Sequence, residues 1–125
     1  MREYLFRGKR ADNGEWVEGN LFVDEKREKC EILIGYTNYR IAWEVIPESV
    51  GQYTGMKDIG DKRIFEGDIM ETAIGGITYH RGVVEFTDGA FGLRCTDGSA
   101  YFLCFVAGNY AIIGTVFEDA DLLEG

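Results

Sequence analysis

Proline and histidine are nearly missing from this 125-residue chain, which has one of each. The single histidine, His80, has no neighbouring cluster of cysteine, aspartate or glutamate. Zinc coordination and acid–base catalysis therefore have no motif, and His80 reads as a surface strand residue. Cysteine is also scarce. Cys30, Cys95 and Cys104 are odd in number and none lies in a C-x-x-C, so free thiols in a reducing cytosol are expected. Basic residues are scarce in one half only. Residues 64–125 hold Arg81 and Arg94 against ten acids, so −8 of the net charge of −9 falls there. Such a half cannot neutralise a run of phosphates. No stretch reaches the roughly 18 apolar residues of a membrane span; the longest run, Tyr101 to Ala107, has the length of a strand. Met1-Arg2-Glu3-Tyr4 opens on charges, so no secretory signal is expected.

What the chain does have is glycine, 17 residues of it, among dense Val, Ile, Tyr, Phe and Thr. Many tight turns between short strands follow, hence a mainly β fold. Candidate strands in the C-terminal half are Asp68–Ile74, Ile77–Phe86, Ala90–Cys95, Ala100–Val106 and Ala111–Phe117. The turns between them fall at Gly75-Gly76, Asp88-Gly89, Asp97-Gly98 and Asn109-Tyr110. Five strands at this spacing predict a small SH3-like barrel over 68–125. Two-residue loops at both Asp-Gly pairs place Phe86 opposite Phe91, Val84 opposite Leu93, and Leu93 opposite Phe102. Val84, Phe86, Phe91, Leu93, Phe102 and Cys104 then share one face. Cys95 pairs with Ala100 in this register, which disfavours a Cys95–Cys104 disulfide. The opposite face is apolar as well, through Tyr101, Leu103, Phe105, Ile112 and Val116, and it needs a cover: the N-terminal half or another subunit.

The N-terminal region, 1–46, predicts strands at Glu3–Arg7, Trp16–Val23, Cys30–Ile34 and Ile41–Ile46, with a turn at Asp12-Asn13-Gly14. Asp24 to Lys29 reads as an exposed polar loop, and Pro47 ends the fourth strand. Residues 47–67 read as a glycine-rich linker, with one helical turn expected at Ile64–Asp68. Asp119–Leu123 forms a last helical turn or a docked tail.

Few residues suggest chemistry. Asp58, Asp61, Glu66 and Asp68 crowd together but match no calcium loop, so no metal is assigned, and no cofactor. Gly51 and Gly55 before Lys57 lack the order and the helix of a phosphate loop. The aromatics Trp16, Trp43, Tyr36, Tyr39, Tyr53 and Phe65 offer a stacking platform for single-stranded nucleic acid or a peptide, set against ordinary core packing. Lys9, Arg10, Lys26, Arg27 and Lys29 are the cations available to nucleic acid, or simply a solvated surface.

One segment is distinctive. Val45 to Met70 reads VIPESVGQYTGMKDIGDKRIFEGDIM, in which Gly51-Gln52-Tyr53-Thr54-Gly55 precedes Phe65-Glu66-Gly67-Asp68. It resembles the signature of the YopX-like proteins of phages and prophages. The resemblance extends loosely to Phe6-Arg7-Gly8, Trp16-Val17-Glu18-Gly19, Gly82 to Phe86, Phe91-Gly92-Leu93, Gly114 and Leu122-Leu123. It departs from the family pattern at Ile59-Gly60-Asp61, where members usually carry Asn-Gly. The resemblance implies a C-terminal SH3-type barrel, phage or prophage origin and self-association, and it implies no catalytic residues. The expectation is a non-enzymatic, oligomeric interaction module in a bacterial host cytosol, contacting itself or a host or phage protein. The candidate binding residues are Trp43, Tyr53, Phe65, Glu66 and Asp68; the candidate interface is Tyr101, Leu103, Phe105, Ile112 and Val116. A nucleic-acid-associated regulator and an acidic decoy of a host DNA-binding protein are the alternatives.

Overall fold

The computed structural model describes residues 4–35, 40–74 and 77–124. The expected Gly75-Gly76 turn and the aromatics Tyr36 and Tyr39 lie outside the described residues. Two compact units divide the chain, Met1–Tyr53 and Thr54–Gly125. Among the described residues no helix is long and apolar enough to cross a membrane.

The first unit is an antiparallel meander of β1 (Phe6–Lys9), β2 (Trp16–Asp24), β3 (Lys29–Gly35) and β4 (Arg40–Val45). Gly51 and Gln52, which open β5 (Gly51–Lys57), pair with the free side of β1. Period-two alternation decides the packing. Leu21, Ile32 and Trp43 form one cross-strand row, with Ile32 fully buried in its middle. At Gly19 a Cβ would stand 2.5 Å from the Leu33 carbonyl oxygen, so β2 and β3 approach more closely than a side chain permits. The expected Asp12-Asn13-Gly14 turn is present. Asn13 accepts the Glu15 N–H, and Gly14 takes a φ of 74°. β4 stops at Val45, and Pro47–Ser49 form a 3-10 turn that Ser49 fastens, its hydroxyl accepting from Lys9 N–H and donating to the Ile46 carbonyl.

The second unit contains β6 (Arg63–Phe65), β7 (Asp68–Ile74), β8 (Ile77–Thr87), β9 (Ala90–Cys95), β10 (Ala100–Phe102), α1 (Leu103–Val106), β11 (Ala111–Thr115) and α2 (Val116–Asp119). Residues 47–67, expected as linker, thus hold two strands and a 3-10 turn. Ile64–Asp68 is strand and turn, not helix, because Thr54 and the Ile64 carbonyl pair across β5 and β6. Five strands form one antiparallel sheet, ordered β10-β9-β8-β7-β11. The edge strands β10 and β11 do not pair in this sheet, and among the described residues no closed barrel is found; the mainly β class expected from the sequence holds, and its finer SH3-like barrel is not confirmed.

Phe86 faces Phe91 and Val84 faces Leu93, as the Asp88-Gly89 turn predicts. The next hairpin differs by one residue. Cys95 N–H bonds to the Ser99 carbonyl, so Thr96-Asp97-Gly98 is a three-residue loop with Gly98 at φ 91°, and Leu93 faces Tyr101 instead of Phe102. One residue of slip exchanges the faces. Tyr101 joins the Val84 and Leu93 side, whereas Phe102 points away and is 61% exposed. After Phe102 the chain coils into α1 and is not the expected strand to Val106. The helix carries Leu103 fully into the core with Ile64, Met70, Val84 and Leu93, a burial worth about 2 kcal/mol. It leaves Cys104, expected in the core, exposed. The strand expected to Phe117 likewise ends at Thr115, whose hydroxyl caps α2 by accepting the Glu118 N–H.

Candidate functional site

The signature segment is a set of backbone latches. Asp68 is fully buried and accepts the Phe65 N–H at 2.7 Å. Gly67, at φ 93°, donates to the Val84 carbonyl and accepts from Val116. Asp58, also buried, accepts from Gly60, Lys62 and Ile112. Burial alone would raise the Asp58 pKa, but the three N–H donors outweigh it and hold the carboxyl below its usual range. Asp58, Asp61, Glu66 and Asp68 therefore do not converge as metal ligands among the described residues.

The candidate binding residues divide between the units. Trp43 and Tyr53 belong to the first; Phe65, Glu66 and Asp68 belong to the second. Tyr53 and Phe65 are buried, so neither offers a ring face for stacking. Trp43 is half-buried, with the Arg10 guanidinium 5.5 Å from its ring centre. Trp16 carries Arg7 at 4.9 Å and Lys9 at 5.8 Å.

The candidate interface residues do not form the single face expected of them. Leu103 lies in the core and Ile112 packs half-buried against it, while Tyr101, Phe105 and Val116 are exposed on β10, α1 and α2. Helix α1 has a period of 3.6, so the alternation that grouped them does not hold beyond Phe102. In place of that face stands an aromatic corner. Phe102 and Phe105, the latter 75% exposed, meet edge to face at 6.1 Å. Beside them is a depression of about 370 Å³ lined by Glu85, Thr87, Ala90, Gly92, Ala100 and Phe102. Arg94 forks onto Glu85 at 2.6–3.1 Å. That hydrogen bond and the charge behind it hold the Glu85 carboxyl low and raise Arg94, so this pair is internally neutral and Asp88 is the further acid on the lining.

Sequence reasoning missed a second cluster. His80, Cys95 and Asp97 come together with their ligating atoms all within 4.8 Å of one another. His80 Nδ1 stands 3.4 Å from Asp97 Oδ2, and the His80 ring meets Tyr101 edge to face at 5.8 Å. Ser99 donates both its N–H and its hydroxyl to Asp97 Oδ1, keeping that carboxyl below the usual range. Burial pushes the Cys95 thiol up. A signal was available: the register that pairs Gly82 with Cys95, run two residues further, sets His80 opposite Asp97.

Three comparisons bear on this chain. The family model described as YopX protein matches residues 5–124. No curated protein matches in sequence. Solved structures share the fold, among them the following two. Protein yopX from Bacillus subtilis is 15% identical with a TM-score of 0.63, covering 100% of this chain and 98% of that one. Protein EF1440 from Enterococcus faecalis is 20% identical with a TM-score of 0.61, covering 99% and 100%. The match of nearly the whole length to the family model, on a mainly β fold of two sheets, makes this chain a member of the YopX family.

Proposed function

We propose that this chain is a non-enzymatic accessory protein of phage or prophage origin that acts in a bacterial host cytosol as a homo-oligomer. The aromatic corner of the second unit is its self-contact. The observation that carries this reading is the exposure of Phe102 and Phe105, side by side at a sheet edge. A second copy fits this corner for two reasons. β10 is an edge strand, so a two-fold partner can add its own β10 antiparallel. The neighbouring Glu85–Arg94 pair is internally neutral, so it adds no like-charge repulsion where two copies of an acidic half meet. The resemblance of the Val45–Met70 segment to the signature of the YopX-like proteins of phages and prophages supports the origin.

The nucleic-acid reading has less support. Arg10 clamps Asp12, Arg27 pairs with Asp24, and Lys29 pairs with Glu44, so cations that could track phosphates already have partners. Sedimentation velocity at micromolar concentration tests the proposal with the double variant Phe102→Ser, Phe105→Ser. A wild-type oligomer that the variant dissolves is expected. A variant with an unchanged oligomer removes this corner from the contact. Salt-sensitive retention of the wild type on DNA would favour the regulator instead.

A further inference from the structure

We propose that His80, Cys95 and Asp97 form a binding site for zinc or a similar divalent cation, with three protein ligands and one open position. Nitrogen, sulfur and carboxylate oxygen are the donor set that zinc takes, and three such ligands with a fourth position left open is a recognised arrangement. The separation of His80 Nδ1 and Asp97 Oδ2, 3.4 Å, is that of two ligands about 2.0–2.1 Å from a tetrahedral ion. Cys95 Sγ, one ring nitrogen of His80 and one carboxylate oxygen of Asp97 all lie within 4.8 Å of one another, against about 3.6 Å between sulfur and nitrogen around such an ion.

The surroundings hold the ligands in place. The three-residue loop fixes Cys95 and Asp97 two apart, through the Gly98 N–H to the Cys95 carbonyl and the Cys95 N–H to the Ser99 carbonyl. Ser99 fastens Asp97 Oδ1, which leaves Oδ2 turned to the imidazole, and the Tyr101 ring sets the imidazole plane. Buried Cys95 forms the floor and exposed Asp97 the entrance. The charges also balance: a divalent cation binds as the Cys95 S–H proton leaves to solvent, and the thiolate and the Asp97 carboxylate together cancel its charge.

The test uses the full chain, stripped with a chelator and titrated with Co²⁺. One thiolate-to-cobalt charge-transfer band per chain is expected, present in Cys30→Ser and Cys104→Ser and lost in Cys95→Ser. His80→Ala and Asp97→Asn, which alter residues outside the core, should each weaken binding at least tenfold while keeping the circular dichroism of the parent; they carry the test if Cys95→Ser fails to fold. Absence of the band in the wild type, its loss in Cys104→Ser, or its indifference to both His80→Ala and Asp97→Asn would overturn the site.

Discussion

Asp58 Oδ2 accepts the backbone N–H of Ile112 at 3.0 Å, joining the turn after β5 to the edge strand β11 across 54 residues of sequence. The other oxygen, Oδ1, accepts from Gly60 and Lys62 within the turn itself. A charged acceptor with three backbone donors is worth more than a neutral one, and its loss strands those donors. Asp58→Ala should therefore lower stability by about 3 kcal/mol. In urea the midpoint should fall with the slope unchanged, the mark of a stability loss without a change in compactness.

The same carboxylate makes a pH prediction. Its folded-state pKa lies below its unfolded value, so its contribution is complete above about pH 4 and disappears as pH falls through the folded value. The stability gap between the wild type and Asp58→Asn should be widest near neutrality and should narrow below about pH 4. A gap of constant size from pH 7 to pH 2 would contradict this role.

Gly82 tests the β8–β9 approach. A Cβ there would sit 2.7 Å from the Arg94 carbonyl oxygen and 3.1 Å from the Cys95 Cα, both backbone atoms that cannot swing aside. Gly82→Ala should cost about 1–3 kcal/mol by overpacking, read as a lower thermal midpoint.

Thiol labelling distinguishes the helix α1 from the strand expected in its place. Cys104 is exposed, while Cys95 is buried with its thiol pushed up, so brief alkylation followed by peptide mass mapping should mark Cys104 well before Cys95. Equal rates would mean that the Leu103–Val106 segment does not turn Cys104 outward.

How far the fold is legible from sequence shows in two Asp-Gly pairs. Asp88 and Gly89 both take positive φ, 55° and 82°, as a two-residue primed turn needs, and the register read from them holds along β8 and β9. In the second pair only Gly98 does so. Asp97 there accepts from Ser99, a local bond that favours the longer loop, and the dipeptide looks the same in sequence either way. That one-residue difference moved Phe102 out of the expected core face. The run from Tyr101 to Ala107 has no polar alternation, so its period could not separate strand from helix, and the fate of Leu103, Cys104 and Phe105 depended on that choice. His80 illustrates another limit. Its partners Cys95 and Asp97 stand across the β8–β9 pairing, so linear spacing does not group them and only the register carried past Gly82 and Cys95 does.

The most direct measurement of self-association is sedimentation equilibrium of the unmodified chain from one to one hundred micromolar. A mass that is an integral multiple of the 14.1 kDa chain, falling towards it only on dilution, is the predicted result. A mass of 14.1 kDa throughout that range would mean that Phe102 and Phe105 are exposed for some reason other than meeting a second copy.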